Sequence, residues 1–330
     1  LAREARGISQ AELADKIGTS QVNINRWESG MFDINSEAFV QIAEVLGFPE
    51  SFFFQEGEIA PPAFYRKRDK VAKKILDVIN ANINIYRLQI GNLLQAMQRE
   101  EPAIPNYGEI TPQEAAQALR KKWKIAKGAI ENMTDILEVN GIIVISFDFK
   151  TERVDSQSIL TENKHPVIFT NKKLLGDRLR FSLAYELGHL VMHAYNRPNF
   201  DIDSGHKANL FAAEFLMPAK DILADFKQNI TLQTLANLKT KWKVSMQALL
   251  YRAADLEHLT PNQKRYLLSQ FNDLSIRRRE PLELDIAKER PKLLRDLITK
   301  YRIRQKMTIK DIAAYFRLRE QEFAERYVNN

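Results

Sequence analysis

The stretch RFSLAYELGHLVMHAY, residues 180–195, sets a glutamate, Glu186, three residues before a histidine, His189. That is part of the zinc-hydrolase pattern H-E-x-x-H. There, histidines at i and i+4 share a helix face and bind one metal, and the glutamate between them takes a proton from the metal-bound water. Hydrolytic zinc needs about three protein ligands and an open position for water. Tyr185 stands where the first histidine belongs. A neutral phenol, with an unperturbed pKa of about 10, is a poor ligand. A second arrangement is a shifted site. His189 and His193 are also i, i+4 partners, His206 lies on the next helical stretch, and Asp203 and Glu214 could add carboxylates. The pattern leaves three readings open: Glu186 as a remnant general base with no metal, a shifted zinc site, and zinc hydrolysis through Tyr185.

A second group of residues has the chemistry of base and phosphate contacts. In SQAELADKIGTSQVNINRWESG, residues 9–30, Ser9 caps a helix with Leu13 and Ile17 facing inward, Gly18 turns the chain, and Ser20 caps a second helix. Val22, Ile24 and Trp27 form the apolar side of that second helix, which leaves Ser20, Gln21, Asn23, Asn25 and Arg26 outside. Such side chains make bidentate contacts to adenine and guanine edges and bond to phosphates.

The elements that must position these groups are mostly helical. Pro49, Pro61 and Pro62 mark a linker over 56–70, which separates a first domain, 1–55, from the rest. Val71, Ile75, Ile79, Ile83, Tyr86, Ile90, Leu93 and Met97 recur at helical spacing and predict one long helix, whose stripe serves either a dimer seam or its own neighbouring domain. Thr111-Pro112-Gln113-Glu114 gives a capping box with proline at the first helical position. GIIVISFDF (141–149) and HPVIFTN (165–171) read as strands. A helix over about 174–195 carries the Glu186 motif, a polar loop NRPNFDIDSG follows, and HKANLFAAEFLM forms a helix stopped at Pro218. Everything after it reads as helical.

The bulk composition narrows the function classes. The 330 residues suit two or three domains, with 45% hydrophobic and 28% charged side chains. A net charge of +7 fits a polyanionic partner such as DNA. With no cysteine, disulfides and thiolate zinc sites are excluded. The lack of cysteine agrees with the cytoplasmic protein expected, and no apolar run reaches the roughly 18 residues of a membrane helix. The chain opens LAREARG without Met, and the natural start, with part of a first helix, is expected to precede it.

Residues 1–48, with S-Q-x-x-L-A at the opening and W-E-x-G at the close, resemble the Xre (lambdoid repressor) DNA-binding domain. The resemblance implies that Gln10 and Ser20 touch the DNA backbone and that Gln21, Asn23 and Arg26 face bases, with Asn25 beside them. RFSLAYELGHLVMH followed by KANLFAAEFLMP resembles the ImmA/IrrE metallo-endopeptidases, over about Phe64 to Glu280. It implies a zincin-like domain in which Glu186 matches the general base and His189 the second ligand. Tyr185 falls on the first ligand and Lys207 on a glutamate that is the third. Members of that family cleave DNA-bound repressors, and others sit beside toxin genes and act like antitoxins.

The fold expected is α+β and mostly helical. An all-α helix-turn-helix domain (1–55) and the linker (56–70) precede an ImmA/IrrE-like domain with a small sheet (71–228). A helical C-terminal region (229–330) completes the chain. In that region Leu238, Trp242, Ser245 and Leu249, and then Ile312, Phe316, Arg319 and Phe323, repeat the register of Leu13, Ile17, Ser20 and Ile24, with packing or partner roles expected. The function expected is transcriptional regulation, of an antitoxin or a phage or mobile-element kind, by a homodimer on a double-stranded operator. A degenerate domain would bind a cognate toxin or regulator without cofactor. The alternative is a zinc endopeptidase acting on a repressor. In the metal-free reading, Lys207 should fill the vacated site by pairing with a carboxylate in the cleft, Glu186 above all, and Tyr185 should lay its ring over the same cleft.

Overall fold

The computed structural model describes residues 1–60, 66–67, 70–193 and 203–328. The N-terminal helices are α1 (Ala2–Ala5), α2 (Gln10–Lys16), α3 (Gln21–Glu28) and α4 (Ser36–Leu46). Ser9 closes a capping box with Glu12, Ser20 caps α3 through the Asn23 amide, and Asn35 caps α4. These side chains satisfy amides that a short helix leaves unbonded.

Part of the segment read as a linker is built into the fold. Glu58 and Ala60 bond through their amides to Glu162 and Asn84, and Arg87 holds the Glu58 carbonyl. Residues 61–65, 68 and 69 lie outside the described residues. Between them Arg66–Lys67 forms a short strand, β1. The long helix α5 spans Lys73–Ala96, close to the expected limits. It packs within its own chain. Tyr86 meets Phe147, Phe169 and Tyr327 edge-on at 5.9, 5.7 and 5.2 Å, and α1 lies against the helix, with Asn82 bonded to the Ala5 carbonyl.

Two helices follow, α6 (Pro112–Lys122), opened by the expected Thr111–Glu114 box, and α7 (Met133–Val139). Three strands come next: β2 (Ile143–Phe147), β3 (Val154–Leu160) and β4 (Pro166–Asn171). The sheet order is β1-β3-β4-β2; β2 and β4 are parallel and the other pairs antiparallel. β3 is an addition to the sequence reading. Its run VDSQSIL is too polar for a core strand, yet Asp155, Ser156 and Gln157 are buried.

The sheet divides two cores, because side chains alternate faces along a strand. Val144 and Ile168 face one core, which holds α8 (Gly176–Met192) and α9 (Asp203–Leu216) and continues through Phe271. Along that stretch run α10 (Ala219–Ile222), α11 (Leu232–Trp242), α12 (Met246–Asp255) and α13 (Pro261–Asp273). Ile143, Ile145, Phe147, Val167 and Phe169 face the other core. That core unites α5, the N-terminal helices and the last three, α14 (Leu293–Arg304), α15 (Ile309–Tyr315) and α16 (Glu320–Phe323). The repeated register falls inside these cores: Leu238, Trp242, Leu249, Ile312, Phe316 and Phe323 are all buried. Most of the loop 196–205 lies outside the described residues, and α9 begins at Asp203, three residues before its expected start at His206.

A strap closes over the front of α8. Glu289 accepts from the Met133 and Thr134 amides at 2.9 and 2.8 Å and pairs with buried Arg180. Gly176, at the start of α8, lies against this strap: a Cβ there would collide with the carbonyl oxygens of Ile286 and Ala287. Gly176→Ala is expected to lower stability by about 1–3 kcal/mol, the usual cost of overpacking. Urea denaturation checks it, and a midpoint equal to the parent's would show that the strap yields freely.

Candidate functional site

Glu186 sits in the middle of α8 and is buried. Ser156 and Ser158 of β3 each donate a hydroxyl to one of its carboxylate oxygens, at 2.7 Å in both cases. Their i, i+2 spacing puts both hydroxyls on the sheet face that meets α8. Burial pushes the Glu186 pKa up to about 7, against the opposing pull of the two serine bonds and of Arg66.

Arg66 enters through the strand register. It is the cross-strand partner of Ser156, so its side chain leaves the same face. Its guanidinium lies 4.8 Å from the Tyr185 ring centroid and 4.9 Å from that of Phe181, and it donates to Ser182 Oγ at 3.1 Å. Burial lowers its pKa, while Asp155, Tyr185 and Glu186 favour the charged form.

Tyr185 is buried, and its ring stands edge-on to His189 at 4.7 Å. Its hydroxyl reaches the start of α9, where a Cβ on Gly205 would lie 3.3 Å away. Burial, then Glu186, push the phenol up to about 12. His189 Nδ1 faces His193 Nδ1 at 3.2 Å, one nitrogen donating and the other accepting. Burial, His193 and Arg66 together push His189 down to about 3, which keeps it neutral.

The expected Lys207–Glu186 pairing is corrected. Lys207 pairs with Asp203, one turn earlier on α9, at 2.9 Å, with both side chains about half exposed at 42% and 52%. Because α9 starts at Asp203, an i, i+4 carboxylate is available without desolvation. Glu186 meanwhile is satisfied from the sheet, and the cation whose field reaches it is Arg66.

Among the described residues the side chains around Glu186 do not fit a three-ligand zinc centre. Among the described residues no group of three or more His, Asp or Glu is spaced to hold a metal ion. His206 is exposed on α9 and does not join the histidine pair. Glu214, read as a solvated residue or a ligand, is buried, paired with Arg252 and bonded to Gln117 at 2.9 Å.

The helix-turn-helix presents a different surface. Gln21, Asn25 and Arg26 are exposed along α3, and Arg26 lies 5.3 Å from the Phe32 ring centroid. The Ser20 hydroxyl accepts from the Asn23 amide. Asn23 turns inward and donates to Thr19 Oγ1 at 3.0 Å, so its side chain is engaged within the turn. Gln10 donates to Glu28 at 2.8 Å. Glu28 also takes a fork from Arg3, at 2.6 and 2.9 Å, which ties α3 to α1 and α2. Burial would raise the Glu28 pKa, but the bonds from Arg3 and Gln10 hold it below the usual carboxylate range. Val22, expected on the apolar side, is 56% exposed, whereas Ile24 is buried. It therefore joins the outer face, where an apolar side chain can meet a thymine methyl.

The chain thus joins a helical N-terminal part that contains a helix-turn-helix to an α+β part built around the β1–β4 sheet. Comparison with known families supports each half. Residues 1–53 match the helix-turn-helix family model, and residues 137–254 match the model for the IrrE N-terminal-like domain. No curated protein matches the chain. No helix is long and apolar enough to cross a membrane among the described residues.

Two outcomes follow. Replacing Gln21 and Arg26 together by Ala should weaken binding to the native promoter fragment by about 1–3 kcal/mol for each good bidentate pair removed, with the circular-dichroism spectrum unchanged. Equal affinity in a gel-shift titration would remove α3 from the interface. For Glu186, the folded pKa of about 7 lies above the usual glutamate value. The folded state therefore keeps a proton that the unfolded chain releases. The stability this gives is complete below about pH 4 and is lost as pH rises through about 7. Glu186→Gln, which fixes the neutral form, should lose less melting temperature than the parent between about pH 5 and about pH 8. Parallel pH profiles for the two proteins would contradict the buried carboxyl.

Proposed function

We propose that the chain is a transcriptional regulator in which the helix-turn-helix domain binds an operator and the IrrE-like domain is a binding platform rather than a peptidase. The observation that carries this is the fate of Glu186. A general base needs an oxygen directed at a water beside the metal. Here both oxygens accept from Ser156 and Ser158 of the sheet. Tyr185 and Lys207 stand at two positions where the resemblance places ligands, and Arg66 brings a positive charge to the face that would hold a dication. A cation there opposes metal binding more strongly than the loss of a neutral ligand does.

The platform reading leaves an antitoxin-like role, or a phage or mobile-element one, as the setting. A cognate protein from the same operon is the partner proposed for the platform. Two half-sites on a palindromic operator would be read by a homodimer. Exposed Met31, Phe32 and Phe54 lie on the N-terminal domain and are available to such contacts.

Glu186→Gln decides between platform and peptidase. A peptidase that loses its general base slows by about two to four orders of magnitude. The platform should keep promoter repression, measured with a reporter in cells, at the parent's level. Loss of regulation, together with a partner protein that accumulates uncleaved, would establish proteolysis through zinc instead.

A further inference from the structure

Beside Arg66, helices α8, α9 and α12 and the segment 277–280 line a pocket of about 470 Å³. That volume lies within the range of small-molecule sites, about 300–1,000 Å³. One wall is apolar, formed by Phe181, Leu210, Ala213, Ala248 and Tyr251. The charges around it are mostly matched. Arg178 pairs with Asp155 and Arg252 with Glu214, while Asp177 and Glu280 share the buried ammonium of Lys239. Among the described residues, Arg66, Arg277 and Arg278 remain against Asp255, so the unmatched charge is positive.

Arg66 is the decisive group. A guanidinium has five N–H donors in a fixed fork. Among the described residues, Arg66 spends one nitrogen on Ser182 and bonds to no carboxylate. The Phe181 and Tyr185 rings fix its position by cation–π contact. A partly desolvated guanidinium with donors to spare, held at the edge of an apolar wall, is preorganised for the two oxygens of a carboxylate.

We infer that this pocket binds a small organic carboxylate with an apolar body. The carboxylate forks onto Arg66, and the body lies along Phe181, Leu210, Ala248 and Tyr251. Exposed Arg278 adds attraction at the entrance. A bare phosphate would satisfy Arg66 but leave the apolar wall wet, so the wall favours an amphipathic acid. The inference rests on reading this domain as a binding module. Its test uses no DNA, and promoter binding by the unliganded parent is measured separately, so failure of one leaves the other standing.

The test is calorimetric titration of the full chain with sodium octanoate and with sodium 4-phenylbutyrate. Octanamide and inorganic phosphate serve as controls. At least one carboxylate should bind saturably at one site per chain, and octanamide and phosphate should bind at least tenfold more weakly. Arg66→Gln should weaken the carboxylate at least tenfold, and Arg66→Lys should restore part of the loss. Ala248→Phe, which fills the pocket without touching an ion pair, should also abolish binding and serves if Arg66→Gln fails to fold. The inference is overturned if neither carboxylate binds, if octanamide or phosphate binds as well, or if binding survives both the Arg66→Gln and Ala248→Phe changes.

Discussion

A buried helix can carry charged side chains only where each finds a partner, since an unpaired charge in an apolar interior costs several kcal/mol. Fifteen of the seventeen residues of α8 are buried, and they include Asp177, Arg180 and Glu186. Each charge on this helix recruits a distant segment. Asp177 draws Lys239 from α11, Arg178 draws Asp155 from β3, and Arg180 draws Glu289 from the strap. Lys239 then binds Glu280, which accepts from the Gln247 amide at the start of α12. The strap, α11 and α12 are thus placed by the need to neutralise one helix.

Glu186 obeys the same rule by a different means. Among the described residues no cation bonds to it; two serine hydroxyls do, and the charge of Arg66 lies nearby. Hydroxyls stabilise either protonation state, because each can donate or accept. A carboxyl held this way is a structural link between helix and sheet.

Much of the scaffold is legible in the chain because its signals are local. The Thr111–Glu114 box, the period of α5 and the caps Ser9 and Ser20 each act within a few residues, and each element appears where its signal lies. The site is less legible because its partners are far apart in sequence. Ser156 and Ser158 lie on a strand whose polar composition hides it, although their i, i+2 spacing is an available clue. Arg66 sits in a proline-flanked basic run and is brought to Glu186 only by strand pairing. Lys207 misleads for the opposite reason: its decisive neighbour, Asp203, is local but sits in a stretch whose composition reads as loop. Val22 shows the limit of composition, since an apolar residue in an amphipathic helix need not face the core.

The fork between Arg6 and Glu322 joins residues 316 positions apart, at 2.9 and 2.7 Å. Arg6 also holds the Leu46 carbonyl and lies over Phe48, inside the helix-turn-helix domain. A ribosome makes the N-terminal helices first, at about 5–20 residues per second, and domains commonly fold as they emerge. Here the last brace for the first domain is synthesised tens of seconds later by that arithmetic. A nascent chain therefore carries the N-terminal helices without this brace until residue 322 has left the exit tunnel. A chain truncated before residue 322 would lack this fork, so the packing of the first helices draws on a contact made 316 positions away.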